Sequence, residues 1–297
     1  MRISTLTMVE HAERRGYAVP AVNVFDEFSM RGAVLAAERC SSPLIVQIST
    51  KTARSLGVRL VTDLFDAIAG SSPVPVALHL DHCPDRRVID EVVEAGWSSL
   101  LFDASDRELE AAVSETSEVV RQAHAAGVAV ESEIENIVGV EDGVGSDEAV
   151  HAYSVSQLAD IAARTGTDLL APQLGTAHGL YTAAPVLLFG RAAEVRRASG
   201  RPVVLHGGTG LSDDEFRRFV RAGVSKINIS TQCKRAYLQA GLVHLRQAEV
   251  DDHWDPPAYL DAVTEAVAAS IAQLPPVFGS AGQAMDLLAR AETLAHA

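Results

Sequence analysis

Cysteine is scarce in this 297-residue sequence: Cys40, Cys83 and Cys233 stand far apart, and no CxxC pair occurs. An odd, scattered trio argues against a disulfide framework, and a reducing cytoplasmic setting is expected. Long apolar runs are missing too. No window approaches 18 continuous apolar residues, and the opening MRISTLTMVEHAERRG lacks a signal-type apolar stretch and reads as helix. Neither a membrane span nor a signal peptide is therefore expected. Positive charge is in deficit, with 25 Lys and Arg against 39 Asp and Glu and a formal charge of −14. Nucleic acid is an improbable partner, because a phosphate backbone needs a basic face. A small phosphorylated substrate needs only a local anion site and stays open. No block of like charge and no Pro/Ser linker divides the chain, so one domain over residues 1–297 is expected.

Hydrophobic residues make up 47%, enough for a sizeable core. They fall into eight short runs: 18–25, 44–49, 74–80, 98–105, 128–134, 168–174, 202–208 and 225–230. Between the runs lie Ala-rich amphipathic segments, several ending at Gly96, Gly127, Gly166, Gly200 or Gly223, the residue type that stops helices. Eight strand–helix alternations predict an α/β fold, a closed (β/α)8 TIM barrel, with a doubly wound open sheet as the alternative. Residues from about 255 onward read as a C-terminal helical extension. The connection 135–152 carries Gly139, Gly143 and Gly145 without helical period, which predicts a mobile flap.

In such a barrel the active site lies at the C-terminal strand ends. The third run ends in Asp81 and His82, and the fourth contributes Asp103. The fifth contributes Glu131 and Glu133, on one side because strand side chains alternate. His178 follows the sixth run in GTAHG, His206 ends the seventh in LHGGTG, and Asn228 ends the eighth in NIST. Burying so many ionisable groups is costly unless something compensates, and a divalent metal would. One histidine at a strand end is usually a hydrogen-bonded structural residue. Three, at three separate ends, fit a catalytic zinc with an open position, so His82, His178 and His206 are the expected ligands. Asp103 and Glu133 are left as a further metal position, as carboxylates that orient the imidazoles, or as cap and ion-pair groups. His79 lies inside its strand and reads as a barrel-layer residue; the remaining histidines read as structural or solvated, and Cys83 as inert. LHGGTG and NIST together read as an anion cradle, with glycine N–H groups, a helix start and the hydroxyls of Thr209, Ser230 and Thr231.

YAVPAVNV, HLDH, VESEI, GVEDG, GTAHGLY, LHGGTGL, KINIST and VFGSAGQA occur in this order. Over about residues 1–290 the chain resembles the class II, zinc-dependent ketose-bisphosphate aldolases, which include the fructose- and tagatose-bisphosphate aldolases. The resemblance implies zinc on His82, His178 and His206, with Asp103 and Glu133 at additional metal positions. Asp81 becomes the acid/base on the aldehyde oxygen, and Glu141 on the flap moves the carbon-bound proton. Gly179, Gly207, Gly208, Thr209, Asn228, Ile229, Ser230 and Thr231 would hold a phosphorylated ketone donor, helped by a second cation, divalent or monovalent (Na+ or K+). Asn23 and Ser49 would lie near the substrate. The implied reaction is reversible aldol cleavage through a zinc-stabilised enediolate, and the implied assembly a homodimer or homotetramer.

The chain also departs from the family pattern. Thr182 and Ala183 replace a frequent Lys-Gly pair, and Asp26 and Phe28 replace an Asn and a Glu. Glu135 and Val138 replace glycines, and Asp255 to Pro257 read DPP instead of DPR. Lys51 stands where small residues are common. The chemistry residues match while the periphery differs, so a retained reaction on an altered substrate is expected. A zinc hydrolase on the same barrel and a non-catalytic partner subunit are the competing readings; neither calls for the flap carboxylate together with three intact histidines.

Overall fold

A computed structural model describes residues 2–137, 139–141, 144–146, 151–179 and 185–295. Its strands are β1 (Val19–Asn23), β2 (Leu44–Ser49), β3 (Val76–Cys83), β4 (Ser99–Asp103), β5 (Ala129–Glu133), β6 (Gly139–Glu141), β7 (Val144–Ser146), β8 (Leu169–Leu170), β9 (Val203–Leu205) and β10 (Val224–Ile229). Eight of them form a closed parallel barrel in the order β1-β10-β9-β8-β5-β4-β3-β2. Closure rests on β1, which pairs in parallel with both β2 and β10. Every expected run contributes a strand, although the sixth shrinks to Leu169–Leu170. Pro172 in that run has no N–H with which to extend a ladder. Inside the expected flap, β6 and β7 form a small antiparallel ribbon.

Local chemistry sets the helix limits. Asp26 caps the helix Glu27–Arg39 through Ser29 N at 2.8 Å, and Ser212 caps Asp213–Arg221 in the same reciprocal manner with Glu215. All five predicted stop glycines have positive φ. The helix Thr5–Arg15 packs across the N-terminal end of the barrel, where its Met8 and Ala12 join Val19, Ala21, Ile45 and Ala77. Helices Pro256–Ile271 and Ala284–Ala295 lie outside the ring; the first packs on Glu27–Arg39.

Each strand has two buried faces. Outward residues such as Val76, Leu78, Leu80, Val130, Ile227 and Ile229 fill an apolar shell against the helices. Inward positions of the same strands carry His79, Asp81, Glu131, Glu133, Lys226 and Asn228, each at most 6% exposed. Strand alternation produces this separation.

Candidate metal centre

Above the apolar residues at the N-terminal end, the inward side chains of β3, β5 and β10 are polar. His79 Nδ1 lies 2.7 Å from Ser99 Oγ, which donates to Thr5 Oγ1 at 2.7 Å. Above it, Lys226 Nζ donates to Glu131 Oε2 at 2.7 Å, with both side chains fully buried. Glu131 Oε1 lies 2.8 Å from His206 Nε2. Because this carboxylate is an acceptor, it selects the tautomer with the proton on Nε2 and leaves Nδ1 of His206 facing the barrel mouth.

Three imidazoles meet there. Ligand atoms of His82, His178 and His206 all lie within 4.8 Å of one another. His82 Nε2 and His206 Nδ1 are 3.0 Å apart. The His82 ring stands edge-on to both others, with centroids 4.9 Å from His178 and 4.8 Å from His206. A second set, His82, Asp103 and Glu133, satisfies the same 4.8 Å limit. His82 Nδ1 donates to Asp103 Oδ2 at 3.2 Å, and the other Asp103 oxygen accepts from Ser105 N and Oγ at 3.1 and 2.6 Å. Glu133 Oε1 accepts from Ile137 N, while its buried Oε2 has no hydrogen-bond partner among the described residues. That oxygen lies 3.7 Å from both His82 Nδ1 and His206 Nδ1.

Backbone strain helps assemble this cluster. Strict alternation would point Asp81 and His82 to opposite faces. His82 instead has φ of 43°, and the β3–β4 register shifts between Leu80 and Cys83. The irregularity brings both side chains to the mouth and returns Cys83 to the apolar shell.

Charge is concentrated here. Burial pulls His82 down, but Asp81, Glu133 and Asp103 overcome it and hold the imidazole well above its ordinary value. Burial and the His82 charge push His178 and His206 well below theirs, so both stay neutral. Burial also acts on Asp103, yet hydrogen bonds from His82 and Ser105 and the His82 charge carry it down to about 2. Glu133 is raised well above the ordinary range, by burial first and by Asp103 against the opposing pull of His82. One imidazolium thus stands among carboxylates where a divalent cation would balance the same charges. Three neutralisable imidazoles, a carboxylate oxygen lacking a donor and a dry setting fit zinc.

The other expected site residues gather around this centre. Asn23 Nδ2 donates to Asp81 Oδ2 at 2.7 Å, and Asn23 Oδ1 accepts from Gln47 Nε2 at 2.9 Å. The Asn228 amide lies 3.4 Å from Asp81 Oδ1 and 3.1 Å from His206 Nε2. Ser49 sits opposite Asp81 in the β2–β3 register and caps the helix Thr50–Leu56. At Gly207 a Cβ would come within 2.5 Å of Ala177 O, which is how the β9 tip and the GTAHG segment can touch. Gly208 packs near Asn228 O, so the tips of β9 and β10 lie side by side. Thr209 is half-buried, and among the described residues no atom lies within 4 Å of a Cβ built at Gly179. Ser230 Oγ is buried without a hydrogen-bond partner among the described residues, next to Thr231 at the start of the helix Thr231–Asp251. Ile229 points outward into the shell, leaving only its backbone at the mouth.

Glu141 lies on β6, but its side chain is outside the described residues, as are Val138, Gly143, Leu180, Tyr181, Thr182 and Ala183. The ribbon does reach the centre: a Cβ at Gly139 would meet His178 O at 2.7 Å. Two participants escaped the sequence reading. Glu131 was placed at the rim without a role, and Lys226 was not singled out. A lysine inside an apolar strand, at an inward position, was the available signal.

A family model for fructose-bisphosphate aldolase class-II matches residues 3–283. The chain belongs to the class II fructose-bisphosphate aldolase family. It is a lyase of that family, whose members are generally zinc-dependent and act on phosphorylated ketoses and aldehydes. A fructose-bisphosphate aldolase of Geobacillus stearothermophilus is 34% identical over 287 residues, covering 95% of this chain and 98% of that one. The crystal structure of the YdjI aldolase from Escherichia coli K12 superposes with a TM-score of 0.83 at 28% identity, over 96% of this chain and 100% of that one. Fructose-bisphosphate aldolase from Campylobacter jejuni, at 23% identity and TM-score 0.80 over 94% and 96% of the two chains, shares the fold. Among the described residues no helix is long and apolar enough to cross a membrane.

Proposed function

We propose that this class II aldolase reversibly cleaves a phosphorylated ketose, or joins a dihydroxyacetone-phosphate-like donor to an aldehyde, with His82, His178 and His206 holding zinc. One observation carries the reading: the three buried imidazoles present ligand atoms within 4.8 Å of one another. Zinc, when bound, supplies Lewis acidity that makes the donor's α-proton removable and stabilises the resulting negative charge. Glu141 takes that proton, and its ribbon, packed against His178 through Gly139, excludes water from the reacting carbon. Asp81 gives its proton to the aldehyde oxygen as the new bond forms and takes it back in cleavage. Asn23 and Asn228 hold Asp81 in place from two sides. Asp103 and Glu133 orient His82 or offer an alternative metal position.

Gly179, Gly207, Gly208, Thr209 and the segment Asn228 to Thr231, with Ile229 through its backbone, cradle the donor and its phosphate. The unpartnered Ser230 hydroxyl supports that role, with Na+ or K+ as a further cation. Ser49 borders the acceptor side. The chain acts as one domain in the cytoplasm, consistent with three free cysteines. Assembly as a homodimer or homotetramer is supported by Leu238, Leu242, Val243, Leu245 and Val250, all exposed along one helix.

Deuterium uptake at the α-carbon of dihydroxyacetone phosphate, followed by NMR, tests the proposal. Uptake should depend on zinc and stop with chelator; Glu141→Ala should keep zinc and lose most of the uptake. No uptake by the zinc-loaded protein would refute it.

A further inference from the structure

The irregular stretch between β8 and His178 is tied down by one side-chain pair. Glu135 follows β5 and its side chain is fully buried; Arg191 stands in the first turn of the helix Phe189–Ser199 with its side chain 20% exposed. Arg191 Nη2 donates to Glu135 Oε1 at 2.7 Å. Each member also grips the backbone of two other segments. Glu135 accepts from Tyr153 N at 2.7 Å on Oε1 and from Gln173 N at 2.9 Å on Oε2. Arg191 donates to Gln173 O from Nε at 3.0 Å and to Tyr153 O from Nη2 at 2.8 Å. The N–H and the C=O of both Gln173 and Tyr153 are thus satisfied by the same ion pair. Neither residue lies in a strand or helix, so no ladder supplies these bonds.

The segments held here lead to the metal centre. From Gln173 the chain runs through Gly175 to His178. Gln173 Oε1 accepts from Gly175 N at 2.7 Å, Leu188 N donates to Leu174 O at 2.8 Å, and a Cβ at Gly175 would collide with Val186 O. From Glu135 the chain passes Ile137, whose N–H donates to Glu133 Oε1 at 3.1 Å, and reaches Gly139, which abuts the His178 backbone. Glu135 therefore joins the two backbone routes to His178. The other two imidazoles are placed differently. His82 lies within β3 and donates to Asp103, and His206 directly follows β9 and meets Glu131. His178 has no strand directly beneath it, because β8 stops at Leu170. A glycine at position 135, as in the family pattern, could make none of these side-chain bonds, so the anchor belongs to this chain.

We infer that Glu135 and Arg191 are positioning residues for His178: the buried pair fixes the segment Gln173–Gly175 and so sets where the third imidazole stands against the other two. The inference rests on the reading that His178 is a zinc ligand. Charge-assisted bonds and the planar guanidinium give the anchor strength and direction. Loss of either partner strands the other's charge and leaves peptide groups of Gln173 and Tyr153 unheld. A ligand whose supporting residues are loosened binds its metal more weakly.

The test is zinc affinity by chelator competition, read beside urea unfolding of the metal-free protein, for wild type, Glu135→Gln, Arg191→Lys, Arg191→Met and the double variant Glu135→Leu/Arg191→Met. Arg191→Met should weaken zinc binding roughly 10- to 100-fold and lower the urea midpoint. Glu135→Gln keeps the side-chain volume and one acceptor oxygen; it should stay folded and still lose roughly 10-fold in affinity. Arg191→Lys keeps the charge without the fork and should restore part of the affinity lost in Arg191→Met. The double variant removes both buried charges and should regain stability relative to Arg191→Met, but not zinc affinity. NMR of isotope-labelled histidine rings in the metal-free variants should show the His178 signals displaced and those of His82 and His206 unmoved. Wild-type zinc affinity in folded Glu135→Gln and Arg191→Met, or affinity that returns together with stability in the double variant, would overturn the inference. Full zinc in His178→Ala would instead sink the ligand set on which it rests.

Discussion

The two faces of the barrel strands are equally dry and chemically opposite. Outward, Val76, Leu78, Leu80, Ile227 and Ile229 stabilise the fold by leaving water, and any apolar group of similar volume would serve. Inward, Glu131, Lys226, His206 and Asp81 are tolerated only because each has a partner. Removing one outward methyl loses contact area. Removing one inward partner leaves a charge buried without compensation, which costs far more. The inward face is therefore where the sequence is least free, and the reacting groups stand on it.

The sharpest way to break the contrast is His178→Ala. It should abolish bound zinc and aldol activity together while the protein stays folded, as read by metal analysis and circular dichroism; full zinc in the variant would overturn the ligand set. Next is Lys226→Met, which strands Glu131 and should cost about 3–5 kcal/mol in urea unfolding. Adding Glu131→Leu should recover most of that stability but leave His206 without its acceptor, lowering zinc affinity about 10- to 100-fold. Recovered affinity in the double variant would show that the pair serves stability alone.

Acid gives a smaller, graded effect. His82 is held above its ordinary 6.5 in the metal-free protein. Its charged form stabilises that state fully below 6.5, and the contribution is lost as pH rises through the raised value. Zinc must displace the same proton, so measured zinc affinity should drop about tenfold per pH unit below the raised value, apart from other protonations. The smallest effect is expected from the shell: Ile227→Val should cost about 0.5–1.5 kcal/mol and leave zinc affinity unchanged.

Much of this was legible from spacing. The eight short apolar runs marked the strands, and the polar residues at their ends, Asp81, His82 and His206 among them, marked the site. GTAHG was harder, since β8 covers only Leu169–Leu170 and His178 reaches the centre on irregular backbone. The partnership of Glu131 with Lys226 was not legible, because the two residues stand 95 positions apart and meet only across the closed barrel.

Chain order alone determined which residues could face inward and which strand ends carried imidazoles, since those follow from local alternation. Only tertiary structure decided that β1 closes on β10, that His82 turns left-handed to join Asp81 at the mouth, and that Lys226 meets Glu131 inside the barrel. Such distances depend on the register of all eight barrel strands at once, and no segment contains that information by itself.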